Sequence, residues 1–238
     1  MRAPVSDARE RLIVALDHPR LATALQQVDA LGDLVTRYKI GLELFSVVGP
    51  AAVEALCSRG KRIFLDLKIH DIPETAARAV AAASAPGRGV DLLTVHASGG
   101  RAMLERAVAA AKQALDAPKI LAVTVLTSLS AADLAADGHS LSLEELVVKR
   151  AQLAESSGCD GVIASPQEIV AIRQAVRADF LVVTPGVRPT GASSGDQKRV
   201  ATAAEARARG ASAVVVGRPI RDAADPAAAA RELLAELA

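Results

Sequence analysis

Aromatic residues are nearly missing from this chain: three Phe, one Tyr and no Trp make up 2% of 238 residues. A core of stacked rings is thereby excluded. With 51% of residues hydrophobic, the interior has to be filled by Val, Leu, Ile and Ala, which suits a parallel α/β protein with strands buried on both faces. Charge of one sign is missing too. Twenty-eight Lys and Arg stand against 27 Asp and Glu, a net +1 without blocks of like charge, so neither a nucleic-acid partner nor a membrane surface is expected. No run approaches the roughly 18 apolar residues of a membrane span. Residues 1–11 mix charges and lack the apolar stretch of a signal peptide, so a cytoplasmic protein is expected. The two cysteines, Cys57 and Cys159, have neither a CxxC spacing nor a His at ligand distance in sequence. They read as inert core thiols, and no metal site is expected.

What is present is alternation. Short β-rich runs at 12–16, 35–40, 62–67, 90–95, 120–126, 161–164, 180–184 and 213–216 alternate with helical runs at 20–31, 43–59, 74–84, 99–115, 142–157, 166–177, 200–209 and 221–236. Eight βα units without a residual block imply a single-domain (β/α)8 TIM barrel over 1–238; open doubly wound sheets usually use fewer strands. Two long polar stretches, 128–142 and 185–197, follow the fifth and seventh strands. Both fall on the face where barrel enzymes keep their active sites. The second, from Pro185 to Gln197, is a candidate mobile loop that grips a phosphate and excludes water on closing.

One segment departs from the apolar pattern of a strand: Phe64-Leu65-Asp66-Leu67-Lys68-Ile69-His70-Asp71-Ile72-Pro73. Strand alternation sends Asp66 and Lys68 to the same side, and Pro73 suits the first turn of the following helix. By itself this is either a structural ion pair with Asp71 as helix cap, or a site. The other strand ends favour a site: Asp17, Lys39, His96, Thr127, Arg188 and Gly217-Arg218 all fall at or after C-terminal ends. The N-terminal ends carry no comparable collection. Gly217 admits a ligand to the backbone, and Arg218 with Arg188 reads as a phosphate clamp at the last two strands. His96 is placed on the pocket floor, His70 in a structural or interface role, and His18 and His139 in solvated loops.

On these residues the chain resembles the orotidine 5′-monophosphate decarboxylases over essentially its whole length. Asp66-Leu67-Lys68-Ile69-His70-Asp71-Ile72-Pro73 fits that family's D-x-K-x-x-D-I-P signature. Val14-Ala15-Leu16-Asp17, Tyr38-Lys39-Ile40-Gly41, Val123-Thr124-Val125-Leu126-Thr127-Ser128, Thr184-Pro185-Gly186-Val187-Arg188-Pro189, Gly195-Asp196-Gln197 and Val216-Gly217-Arg218-Pro219 follow its other motifs in order. Thr190 to Ser194 carries no recognisable motif residue.

The resemblance implies decarboxylation of orotidine 5′-monophosphate to UMP without a cofactor, in a homodimer with shared sites. Lys68 would protonate C6 of the pyrimidine. Lys39, Asp66, Lys68 and Asp71 would form a charge network, with Asp71 and Thr75 supplied by the partner subunit. Asp17 and Lys39 would hold ribose hydroxyls and Thr127 the pyrimidine, while Arg188, Gln197, Gly217 and Arg218 hold the phosphate. The rival expectations are a metal-dependent sugar-phosphate lyase on the same barrel, with Asp17 and Glu43 as conceivable ligands, and a silent barrel that binds a phosphate ligand without turnover.

Overall fold

Strands too apolar to face water on either side must be covered on both, and this chain does so by closing them into a ring. The computed structural model describes residues 7–85, 87, 89–188 and 201–238. After a short helix α1 (Ala8–Arg11), the first half runs β1 (Leu12–Ala15), α2 (Leu21–Leu31), β2 (Arg37–Gly41), α3 (Leu42–Val48), α4 (Pro50–Cys57), β3 (Arg62–Ile69), α5 (Pro73–Ala83), β4 (Val90–His96) and α6 (Gly100–Lys112). The second half runs β5 (Lys119–Val123), α7 (Ala131–Ala136), α8 (Leu143–Ser156), β6 (Gly161–Ile163), α9 (Ile169–Ala175), β7 (Leu181–Thr184), α10 (Ala203–Ala208), β8 (Ala213–Val216), α11 (Arg218–Arg221) and α12 (Pro226–Leu237). The strands pair in parallel in sequence order, and β8 returns to β1 with Val216 opposite Val14. This is the predicted (β/α)8 barrel.

Period-two alternation divides the core into two layers. Ile13, Ala15, Phe64, Leu92, Leu121, Val123, Ile163, Val183, Ala213 and Val215 fill the barrel interior. Their outward neighbours, such as Val14, Leu65, Leu93, Val162 and Val216, pack beneath the helices. Cys159 is buried in this outer layer, where desolvation pushes its thiol up to about 12, as suits an inert group. Among the described residues no helix is long and apolar enough to cross a membrane.

Several predicted boundaries shift for local reasons. The helix expected over 43–59 is two: Gly49 adopts φ 66 and donates its N–H to the Phe45 carbonyl, and Pro50 opens α4. The one expected over 221–236 is α12, which starts five residues later at Pro226 behind Asp225, whose carboxylate accepts the Ala228 N–H; the short α11 precedes it and ends at Arg221. The stretch 128–142 contains α7, started by a reciprocal Ser130–Asp133 capping box. Strand β5 stops at Val123, three residues before its predicted end, whereas β3 runs two residues further, to Ile69. Residues 189–197 of the predicted mobile loop, Gln197 among them, lie outside the described residues.

The N-terminal end of the barrel is not bare, contrary to expectation. Buried Arg37 donates to Asp91 at 2.9 Å and to Glu10 at 3.3 Å, and Arg62 pairs with the same two carboxylates. Arg37, Arg62 and Asp91 stand at strand starts and Glu10 on α1, two arginines paired with two acids. At the opposite end the charges surround an open cavity.

Candidate active site

A cavity of about 400 Å³ opens at the C-terminal end of the barrel, within the range of small-molecule sites. Ala15, Phe64, Ile163 and Val215 from the inner core line its floor. Its polar wall brings together Asp17, Lys39, Asp66, Lys68, Thr127, Arg188, Gly217 and Arg218. Eight sequence candidates therefore share one pocket. Asp71 and Thr75 do not line it in this chain; both are exposed on the turn and helix that follow β3.

The charged wall is a row of alternating sign. Lys39 Nζ donates to Asp17 Oδ1 at 3.1 Å and lies 3.8 Å from Asp66 Oδ2. Lys68 Nζ donates to that same Asp66 oxygen at 2.9 Å. Asp66 is 9% exposed and Lys39 half-buried, so the Lys39–Asp66 contact is shielded far better than a surface ion pair, while Asp17 is more open to solvent. Glycine makes room for the row: a Cβ at Gly41 would stand 2.8 Å from Lys39 Nζ, and one at Gly217 would stand 3.2 Å from Asp17 Oδ2.

Lys68 reaches the row by a backbone irregularity that simple alternation does not predict. From Leu65 to Ile69, β3 spends four residue steps against two on β4, from Leu93 to Val95. Lys68 takes φ 51 within this bulge, the single positive φ among described non-glycine residues. Such conformations cost energy and gather at functional sites. Thr94 faces the bulge from β4 and is fully buried; its hydroxyl accepts the Lys68 N–H at 2.8 Å and donates to Asp66 Oδ1 at 2.9 Å.

At the other end of the cavity stand Arg188, just past β7, and Arg218, at the start of α11. Arg188 is buried and donates to the Val187 carbonyl at 2.8 Å. Arg221 also lines the pocket and donates to the Asp17 carbonyl at 3.1 Å. Thr94 and Arg221 escaped the sequence reading. A hydroxyl in the inward phase of the apolar run Val90-Asp91-Leu92-Leu93-Thr94-Val95-His96 was the available signal for Thr94. Arg221 lies one helical turn beyond Arg218, and nothing in the sequence distinguishes it.

The histidines are placed differently from expectation. His96 does not line the cavity. It stacks on exposed His70 with ring centroids 5.3 Å apart and accepts the Ser98 N–H at Nδ1. Burial, with His70, Arg150 and Lys68 acting in the same direction, pushes its imidazole down to about 4, so it is neutral at pH 7. Half-buried His18 is bonded to Gln27 rather than simply solvated.

A closed eight-stranded barrel with a charged cavity at the C-terminal ends of its strands defines a (β/α)8-barrel enzyme. The chain belongs to the orotidine 5′-phosphate decarboxylase / HUMPS family, which it matches over residues 10–233. It is 51% identical to an orotidine 5′-phosphate decarboxylase of Moorella thermoacetica over 236 residues, covering 97% of this chain and 93% of that protein. It is also 51% identical to one of Anaeromyxobacter sp. strain K, covering 96% and 98% of the two chains. The crystal structure of orotidine 5′-phosphate decarboxylase from Lactobacillus acidophilus superposes with a TM-score of 0.86 at 38% identity, covering 96% of this chain and 99% of that one. Like these relatives, the chain is a carboxy-lyase.

Proposed function

We propose that this pocket converts orotidine 5′-monophosphate to UMP and CO2 in de novo pyrimidine biosynthesis, in the cytoplasm and without a cofactor, with Lys68 protonating C6. The observation that carries the reading is the row Asp17, Lys39, Asp66, Lys68, ending in an ammonium beside a buried carboxylate. Breaking the C6–carboxylate bond leaves its electron pair on C6, in an orbital that no adjacent π system absorbs. A cation at that carbon stabilises the charge as it develops, and the Lys68 ammonium then transfers a proton to C6, to be replaced from water. Arg188 and Arg218, with Gly217 and Gln197, take the phosphate, so binding energy far from C6 orients the reacting carbon. Asp17 and Lys39 hold the ribose hydroxyls and Thr127 the pyrimidine.

The second part of the proposal concerns the partner. Asp71 and Thr75 serve the site of a second copy of the chain. Support comes from their exposure here and from exposed Leu42, Ile72 and Leu126, which follow β2, β3 and β5 at the same end of the barrel. A second subunit seated there would cover these apolar side chains.

The deciding experiment is turnover of orotidine 5′-monophosphate by chelator-treated protein. Undiminished UMP formation is expected, because the Asp17 and Asp66 carboxylates already hold lysine ammonium groups. Activity that vanishes and returns with magnesium would overturn the cofactor-free reading. UMP binding without any turnover would overturn the enzymatic one.

A further inference from the structure

Thr94 stands where two features of the pocket meet, the bulge in β3 and the orientation of the Asp66 carboxylate. Three residues of β3 between Leu65 and Ile69 oppose Thr94 alone on β4. The ladder cannot pair all their backbone groups, and Lys68 turns into the left-handed region. Thr94 Oγ1 takes up the Lys68 N–H at 2.8 Å, in place of a strand partner. The same hydroxyl sends its proton to Asp66 Oδ1 at 2.9 Å. With Oδ1 held, Oδ2 is left between the two ammonium groups, 2.9 Å from Lys68 Nζ and 3.8 Å from Lys39 Nζ.

We propose that Thr94 is a positioning residue: its hydroxyl fixes both the rotation of the Asp66 carboxylate and the backbone turn that aims Lys68 into the pocket. A threonine retained for packing alone would need only its shape, and valine supplies that shape. Here the donor and the acceptor of the hydroxyl are both committed, one to each member of the Asp66–Lys68 pair, and the side chain is fully buried. Valine would leave the Lys68 N–H unpaired and the carboxylate free to rotate.

The inference rests on the proposed decarboxylation for its kinetic readout, and a second readout is independent of it. In Thr94→Val, kcat should fall by about 30-fold, the order expected for losing a buried hydrogen bond to a charged group, while KM and UMP affinity stay near wild type. Thr94→Ser should recover most of the loss. In an Asp66→Asn background, Thr94→Val should have a smaller effect than in the wild type, because the part of its role that acts through that carboxylate is already lost and only the hold on the Lys68 N–H remains. Exchange of the Lys68 amide proton, followed by NMR, should quicken by at least about tenfold in Thr94→Val and remain slow in Thr94→Ser. Should Thr94→Val not accumulate folded, Thr94→Ala carries the same comparisons. Wild-type kcat in the valine variant, a serine variant as impaired as valine, or full additivity with Asp66→Asn would each overturn the proposal. A wild-type chain inactive on orotidine 5′-monophosphate with the amide result intact would instead overturn the substrate reading and leave the positioning role standing.

Discussion

Lys68 combines a strained backbone, partial burial and a 2.9 Å contact with a buried carboxylate. The strain is sustained because the neighbours over-determine it: Thr94 holds the backbone N–H and Asp66 the ammonium. Replacing Lys68 with Ala removes both the cation and the proton source. Turnover should fall by on the order of 10⁴-fold or more, with UMP binding retained through the phosphate end; substantial residual turnover would refute the proton-donor role. His96 offers no substitute, since burial keeps it neutral at pH 7 and its ring lies outside the cavity.

Among the elements, β3 departs furthest from regularity and carries two of the charged residues. The opposite wall demands regularity. Strand β6 is only Gly161–Ile163, and a Cβ at Gly161 would run into the carbonyl oxygen and Cβ of Leu181 on β7. Backbone cannot yield as a flexible side chain does. Gly161→Ala should therefore cost about 2 kcal/mol of stability and lower Tm by roughly 5 °C. Calorimetry checks it, and an unchanged Tm would show that the β6–β7 pair has slack these contacts do not reveal. Glycine acts differently at the end of α3, where φ 66 at Gly49 ends one helix and Pro50 starts the next.

For the whole molecule, the barrel separates two sets of charges. Arg37, Arg62, Glu10 and Asp91 close one end, while Asp17, Lys39, Asp66 and Lys68 are arrayed around open space at the other. That active end also exposes Leu42, Ile72 and Leu126. If Asp71 works in the neighbouring subunit, Lys68→Ala and Asp71→Asn chains, each inactive alone, should regain activity when mixed. A mixed dimer then has one site with both residues intact. Full restoration would approach half of the wild-type activity per heterodimer; no recovery, with heterodimers demonstrated, would return Asp71 to its own subunit's site.

The sequence by itself determined the barrel and most of its candidate pocket. Period-two and helical patterning are local, eight repeats leave one economical closure, and Asp17, Lys39, Asp66, Lys68, Thr127, Arg188, Gly217 and Arg218 all stand at strand ends that such a closure must bring together. Only the tertiary structure decided the β3 bulge, the role of Thr94, the Arg221 contact with Asp17, the stacking of His96 on His70, and the ion pairs at the other end. The physical reason is common to these cases. Each depends on the register between strands or on a contact across the barrel, and register is a property of the paired strands that neither run of residues contains alone.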